Sequence, residues 1–262
     1  MKLSVLTENT ASGNFLAEFG LSYFIEHENR TILFDTGSTD VFLRNAEKLD
    51  IDLDRADAVV LSHGHWDHGN GLRYVSNKKL VCHPDAFMKR YRKNSTENIG
   101  LELSYEELDQ RFELIISREP YPLSKNMIFL GEIPRKTSFE AQKTTFMDQN
   151  GEDDFVPDDS ALAIIADGEL IVVSGCAHSG ICNIVEYAKR VTGLKKIIAV
   201  IGGFHLKENN RQTQKTIHYF KAQKVRNLYP SHCTQLPALA AFYREFEMEQ
   251  VKTGMVFTFS KT

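Results

Sequence analysis

The sequence predicts an α/β protein built as a four-layer αβ/βα sandwich, two mixed sheets face to face with helices on both outer sides. Three observations carry this. Short apolar strands recur in both halves of the chain and stop abruptly at reactive polar residues, at His63, Cys176, His205 and His232. Hairpin signals, Glu28-Asn29 and Asp167-Gly168, join strands early in each half. Amphipathic stretches over residues 213–225 and 236–246 follow the later strands as helices. Strand ends that carry reactive groups have to meet at one edge of the core, and the active site is expected there.

A chain of 262 residues with 42% hydrophobic composition can bury a sizeable core, so one domain over residues 1–262 is the default. The formal charge of −4, from 31 basic and 35 acidic residues, gives no electrostatic reason to expect a nucleic-acid partner. Cys82, Cys176, Cys182 and Cys233 form no closely spaced pair and read as reduced thiols. No apolar segment suits a signal peptide or reaches the roughly 18 residues of a membrane span, so a cytoplasmic enzyme acting on a small molecule is expected.

Residues 2–7, 22–27 and 31–34 are the opening strands, runs of aliphatic, aromatic and β-branched residues bounded by polar turns. The third ends in Asp35-Thr36-Gly37-Ser38, where Asp35 is either a helix cap or a buried acceptor behind the next loop. Thr39 or Asp40 caps a helix whose apolar positions are Val41, Phe42, Ala46 and Leu49. Residues 58–61 form a buried strand, 70–76 a short helix and 79–83 another strand. The pattern weakens over residues 85–158. A helix is expected over 85–91, with Lys89-Arg90-Tyr91-Arg92-Lys93 as its solvated end or as a phosphate contact. A short acidic helix over 105–109 and strands over 112–116 and 127–130 follow, the two strands separated by Glu119-Pro120-Tyr121-Pro122. So long an element ahead of the next core strand is expected to cap the pocket and set substrate choice. Arg135 and Lys136 are its candidate contacts for a substrate phosphate or carboxylate.

Residues 161–166 and 170–173 pair across Asp167-Gly168, and the second of them ends in Ser174-Gly175-Cys176-Ala177-His178-Ser179-Gly180. A helix over 183–190 leads to a strand over 196–201 that ends in Gly202-Gly203-Phe204-His205. The short strand 228–229 ends in Pro230-Ser231-His232-Cys233-Thr234, and residues 256–259 close a sheet edge.

The stretch with the most chemistry is Ser62-His63-Gly64-His65-Trp66-Asp67-His68-Gly69. Three imidazoles and a carboxylate follow a buried strand within a few positions, a metal-ligand composition delivered at a strand end. Gly64 lets His63 and His65 converge on one ion, while Asp67 and His68, adjacent in sequence, fit a second ion better than the first. Two divalent transition-metal ions are therefore expected, zinc first, with iron or manganese as the alternatives.

This segment resembles the His-x-His-x-Asp-His motif of the metallo-beta-lactamase superfamily, and the preceding strand and Gly69-Asn70-Gly71 match as well. Gly175-Cys176-Ala177-His178, Gly202-Gly203-Phe204-His205 and His232-Cys233-Thr234 resemble the dihydropteroate-synthase-like branch of that superfamily. The resemblance implies the four-layer fold and places an Asp-x-Gly turn at Asp35 beside the ligands, orienting them without touching metal. It implies one ion held by His63, His65 and His178 and a second held by Asp67, His68 and His232. Cys176 stands where many relatives carry a bridging aspartate, and Asp159 lies where many place a histidine, so both are candidate ligands. His205 is kept for substrate contact or proton transfer, and Asp67 both holds metal and orients the nucleophile. General membership implies hydrolysis by metal-activated water. The branch implies a pterin transferase, which condenses a dihydropterin alcohol diphosphate with a ribofuranosyl-aminobenzene phosphate and releases diphosphate. A di-iron redox protein and a purely structural or sensing metal protein are the remaining classes. The absence of a glutamate in the ligand loop opposes the first, and the long cap opposes the second.

Overall fold

The computed structural model describes residues 1–259. By its contacts the chain forms two compact units: Met1–Arg118 with Lys143–Asp158 and Lys252–Thr258, and Glu119–Gln142 with Asp159–Val251 and Phe259. The segment 85–158 is thus divided between them. Among the described residues no helix is long and apolar enough to cross a membrane.

The first unit is built on a seven-stranded mixed sheet in the order Val256–Thr258, Lys2–Thr7, Ser22–His27, Arg30–Phe34, Ala58–Val60, Lys78–Cys82, Phe112–Ile116. Its first strands are antiparallel, and Glu28, at φ 53°, takes the left-handed conformation that the tight turn between the second and third demands. From Arg30–Phe34 onward the pairs are parallel. Helix Val41–Lys48 lays Phe42 and Ala46 on Leu33, Val59 and Leu80, which is why these strands are apolar almost throughout. Phe34 pairs with Val60, so the chain emerges from two neighbouring parallel strands with Asp35 beside Leu61-Ser62.

The second unit carries a six-stranded sheet in the order Asn227–Ser231, Ile197–Gly203, Glu169–Ser174, Ala161–Ala166, Met127–Phe129, Tyr121–Ser124. Asp167 and Gly168, at φ 52° and 76°, form its hairpin turn, as the dipeptide predicts. Asn227–Ser231, Ile197–Gly203 and Glu169–Ser174 run parallel. Helices Ile181–Thr192, Arg211–Gln223 and Leu236–Glu245 pack through Ile184, Val185, Ile217, Phe220 and Phe242.

The weakly patterned region departs from expectation in three places. Residues 85–91 form no α-helix: a single 3-10 turn, Pro84–Phe87, leads into strand Arg90–Arg92, which pairs with Phe146–Asp148 in a small three-stranded sheet. Arg90 is accordingly not a solvated helix end; it is fully buried. Tyr121–Ser124, read as a separator, is the outermost strand of its sheet, the one place where Pro122 costs no ladder bond.

Helix Ile181–Thr192 begins at Gly180 without a cap from its own chain neighbours. Glu140 supplies one from a distance, its carboxylate accepting from the Cys182 amide at 2.9 Å and the Asn183 amide at 3.0 Å. Burial raises the Glu140 carboxyl above its usual range even though these bonds pull it down. Substituting Glu140→Ala strands two buried amides, and urea unfolding should show a loss of about 1–3 kcal/mol for each. The raised pKa fixes the pH trend. Glu140's contribution is full below the ordinary glutamate value and falls as pH rises through the folded one, so the deficit of the variant should shrink with rising pH.

Candidate metal centre

In the first unit the ligand stretch leaves strand Ala58–Val60 and closes into the short helix Trp66–Gly69. His63, His65, Asp67 and His68 are all buried. His63 Nε2 faces His65 Nδ1 at 2.9 Å, and the His63 and His68 rings lie 4.2 Å apart. Two imidazole nitrogens so placed repel one another unless a proton or a cation lies between them. His68 Nε2 stands 3.8 Å from Asp67 Oδ2, a second donor pair within the same loop.

Buried carboxylates fix both sides of this loop. Asp35, at φ 54°, accepts from the Ser62 amide at 2.7 Å, from the Ser62 hydroxyl at 2.7 Å and from His68 Nδ1 at 2.7 Å. Because a carboxylate only accepts, His68 carries a proton on Nδ1, so Nε2, which faces Asp67, is the ring nitrogen available to a metal. On the other side the Gly64 amide donates to Asp158 Oδ2 at 2.7 Å. A Cβ at Gly64 would sit 1.8 Å from the Ala86 carbonyl, so the tight passage between His63 and His65 requires glycine. Arg90 holds Asp158 through Nη1 at 2.9 Å and through Nη2, and holds Asp154 through Nε at 2.8 Å. Phe146 closes one side of His65, ring to ring at 5.1 Å.

In the second unit Cys176, His205 and His232 follow the ends of three adjacent parallel strands. The rings of His178 and His205 are 4.2 Å apart. Donor atoms of Cys176, His205 and Cys233 lie within 4.8 Å of one another. Burial opposes ionisation of Cys233, but hydrogen bonds with Cys176 and His205 and the charges of His205 and His232 outweigh it and hold the thiol well below its usual range. Asp159 is fully buried; its Oδ2 accepts from the amide of Ser179 at 2.9 Å and from the Ser179 hydroxyl, and its Oδ1 has no hydrogen bond. Burial raises its carboxyl, and the Ser179 hydrogen bonds, with a smaller contribution from Arg135, only partly offset this. Lys136 is exposed and borders a pocket of about 260 Å³ with Asn183, Glu186 and Arg190.

The model of the metallo-beta-lactamase superfamily matches residues 16–83, which include the whole ligand loop. An uncharacterized protein of Methanocaldococcus jannaschii is 38% identical, over 90% of this chain and 92% of that one. The 7,8-dihydropterin-6-methyl-4-(beta-D-ribofuranosyl)-aminobenzene-5'-phosphate synthase of the same organism is 34% identical, over 99% of this chain and 97% of its own length. The crystal structure of a metal-dependent hydrolase of the beta-lactamase superfamily superposes with a TM-score of 0.89 at 30% identity, covering 100% of both chains. The chain belongs to the metallo-beta-lactamase superfamily. Its fold is that superfamily's αβ/βα sandwich of mixed sheets flanked by helices. It is a metal-dependent hydrolase fold, and its clustered donors suit two divalent ions.

The donor set fits such ions on the structure's own terms. Imidazoles, thiols and the buried Asp67 carboxylate stand together in groups where their lone pairs are poorly solvated, the donor chemistry that borderline divalent ions take. Sequence reasoning missed Arg90, Asp154 and Asp158 as supports of the loop, and Cys233 as a member of a donor cluster. Only Cys233 had a visible signal, its place beside His232. An Asp35→Asn variant, which can present an amide N–H to His68 Nδ1, should bind zinc about 10–100-fold more weakly in a chelator competition assay.

Proposed function

We propose that this chain is a hydrolase with a dinuclear centre, one ion held by His63, His65 and His178 and the other by Asp67, His68 and His232. The observation that carries the reading is the loop itself. Within six residues it offers two donor pairs, His63 with His65 and Asp67 with His68, each set by its own hydrogen bonds. Cys176 is a further candidate donor, whereas Asp159, expected as another, joins no donor group among the described residues. Zinc suits this mixture of imidazole, thiol and carboxylate, and iron or manganese are the alternatives. Bound there, the ions supply an acidified water and polarise a substrate oxygen.

The chain's own residues then do the following. Asp67 accepts a hydrogen bond from the attacking water and orients it. His68, its Nδ1–H fixed by Asp35, keeps Nε2 for the centre. Arg135 and Lys136 supply positive charge for a phosphate or carboxylate on the substrate.

One observation favours a second reading. The synthase relative is 34% identical along nearly its full length, so a pterin transferase acting with diphosphate release is the alternative. That chemistry must exclude water from the electrophile, whereas hydrolysis must admit it. Turnover in ¹⁸O-labelled water separates the two. Hydrolysis of a phosphorylated or ester substrate should place one solvent oxygen in the product. Formation of a carbon-nitrogen bond with diphosphate release and no label would establish the transferase.

A further inference from the structure

Three neighbouring parallel strands of the second unit end in the same way. Glu169–Ser174, Ile197–Gly203 and Asn227–Ser231 lie side by side, and two residues beyond the last residue of each stand Cys176, His205 and Cys233. The sheet therefore delivers two thiols and an imidazole to one place at the same distance past each strand. Their donor atoms lie within 4.8 Å of one another. The central strand is shaped for this. A Cβ at Gly203 would meet Cys233 Sγ at 2.6 Å and the Gly175 carbonyl at 2.5 Å, so only a glycine lets the Cys233 side chain lie across that strand toward Cys176. The Cys233 thiol reaches the Cys176 carbonyl at 3.3 Å.

We propose that Cys176, His205 and Cys233 form a third metal site, separate from the His/Asp centre, that takes one thiophilic cation such as zinc. Two thiols and one imidazole select zinc over magnesium, calcium or manganese, since sulfur binds the harder cations poorly. Three protein donors leave one tetrahedral position open to an exogenous ligand, the arrangement of a reactive site and not of a closed structural one. Cation binding displaces the thiol protons. Cys233 distinguishes this site from a bridging role for Cys176. Among the described residues Cys233 joins no other donor group. Cys82 and Cys182 lie in apolar cores where burial raises their thiols, and they serve as controls.

Reduced, metal-free full-length protein titrated with ¹¹³Cd²⁺ tests the proposal by ultraviolet absorption and cadmium NMR. The site predicts a thiolate-to-cadmium absorption band that saturates with one equivalent, and one cadmium resonance displaced downfield as expected for two sulfur ligands. Cys233→Ser should lower the bound metal by one equivalent and remove that resonance, whereas Cys82→Ala should change neither. The double variant His63→Ala/His65→Ala should keep the resonance, which separates this site's fate from that of the proposed hydrolytic centre. Absence of a two-sulfur resonance in the wild type overturns the proposal and needs no variant to fold. A band of full strength in Cys233→Ser also overturns it and returns Cys176 to the dinuclear centre.

Discussion

The Asp158 carboxylate, buried between the Arg90 guanidinium and the Gly64 amide, is the interaction on which the metal loop depends. A loop bearing three imidazoles and a carboxylate has no apolar reason to fold inward, so its position must come from directed polar bonds. Asp158 supplies one on the side of His63 and His65, and Asp35 supplies others to Ser62 and His68. An unpaired carboxylate could not remain ionised at such a position. Arg90 pairs with Asp158 and Asp154 at once, and removing one partner of a buried pair of this kind typically costs about 3–5 kcal/mol. The returning segment Lys143–Asp158 is thereby fastened to the ligand loop through Asp158, with Phe146 adding a ring contact to His65.

Much of this was legible from the chain. Each ligand-bearing strand end announces itself by a change from β-branched residues to histidine or cysteine within one or two positions, and Asp167-Gly168 marks its hairpin without ambiguity. Arg90 was not legible. Flanked by Lys89, Tyr91, Arg92 and Lys93 it has the local composition of a solvated surface, and its partners lie 64 and 68 residues away, a separation that no periodicity encodes. Glu140 was hidden for the same reason: it caps a helix that starts 41 residues later. Pro122 misled because proline usually interrupts strands, and only the edge position of Tyr121–Ser124 makes it acceptable.

The two units contribute different chemistry. The first offers imidazole and carboxylate on a loop braced by carboxylates, which favours borderline divalent ions and an oxygen nucleophile. The second adds sulfur at Cys176 and Cys233, and its parallel strands deliver donors in a row instead of in a loop.

Hydrogen bonds to Asp35 and Asp158 hold the ligand loop in place before any metal arrives. Amide hydrogen exchange of Ser62 and Gly64 in metal-free protein tests it most directly. Both amides are bonded to buried carboxylates, so they should exchange as slowly as the neighbouring strand amides of Val59 and Val60, and zinc should add little further protection. Rapid exchange that slows only when zinc binds would show that the metal, and not the carboxylates, builds the loop.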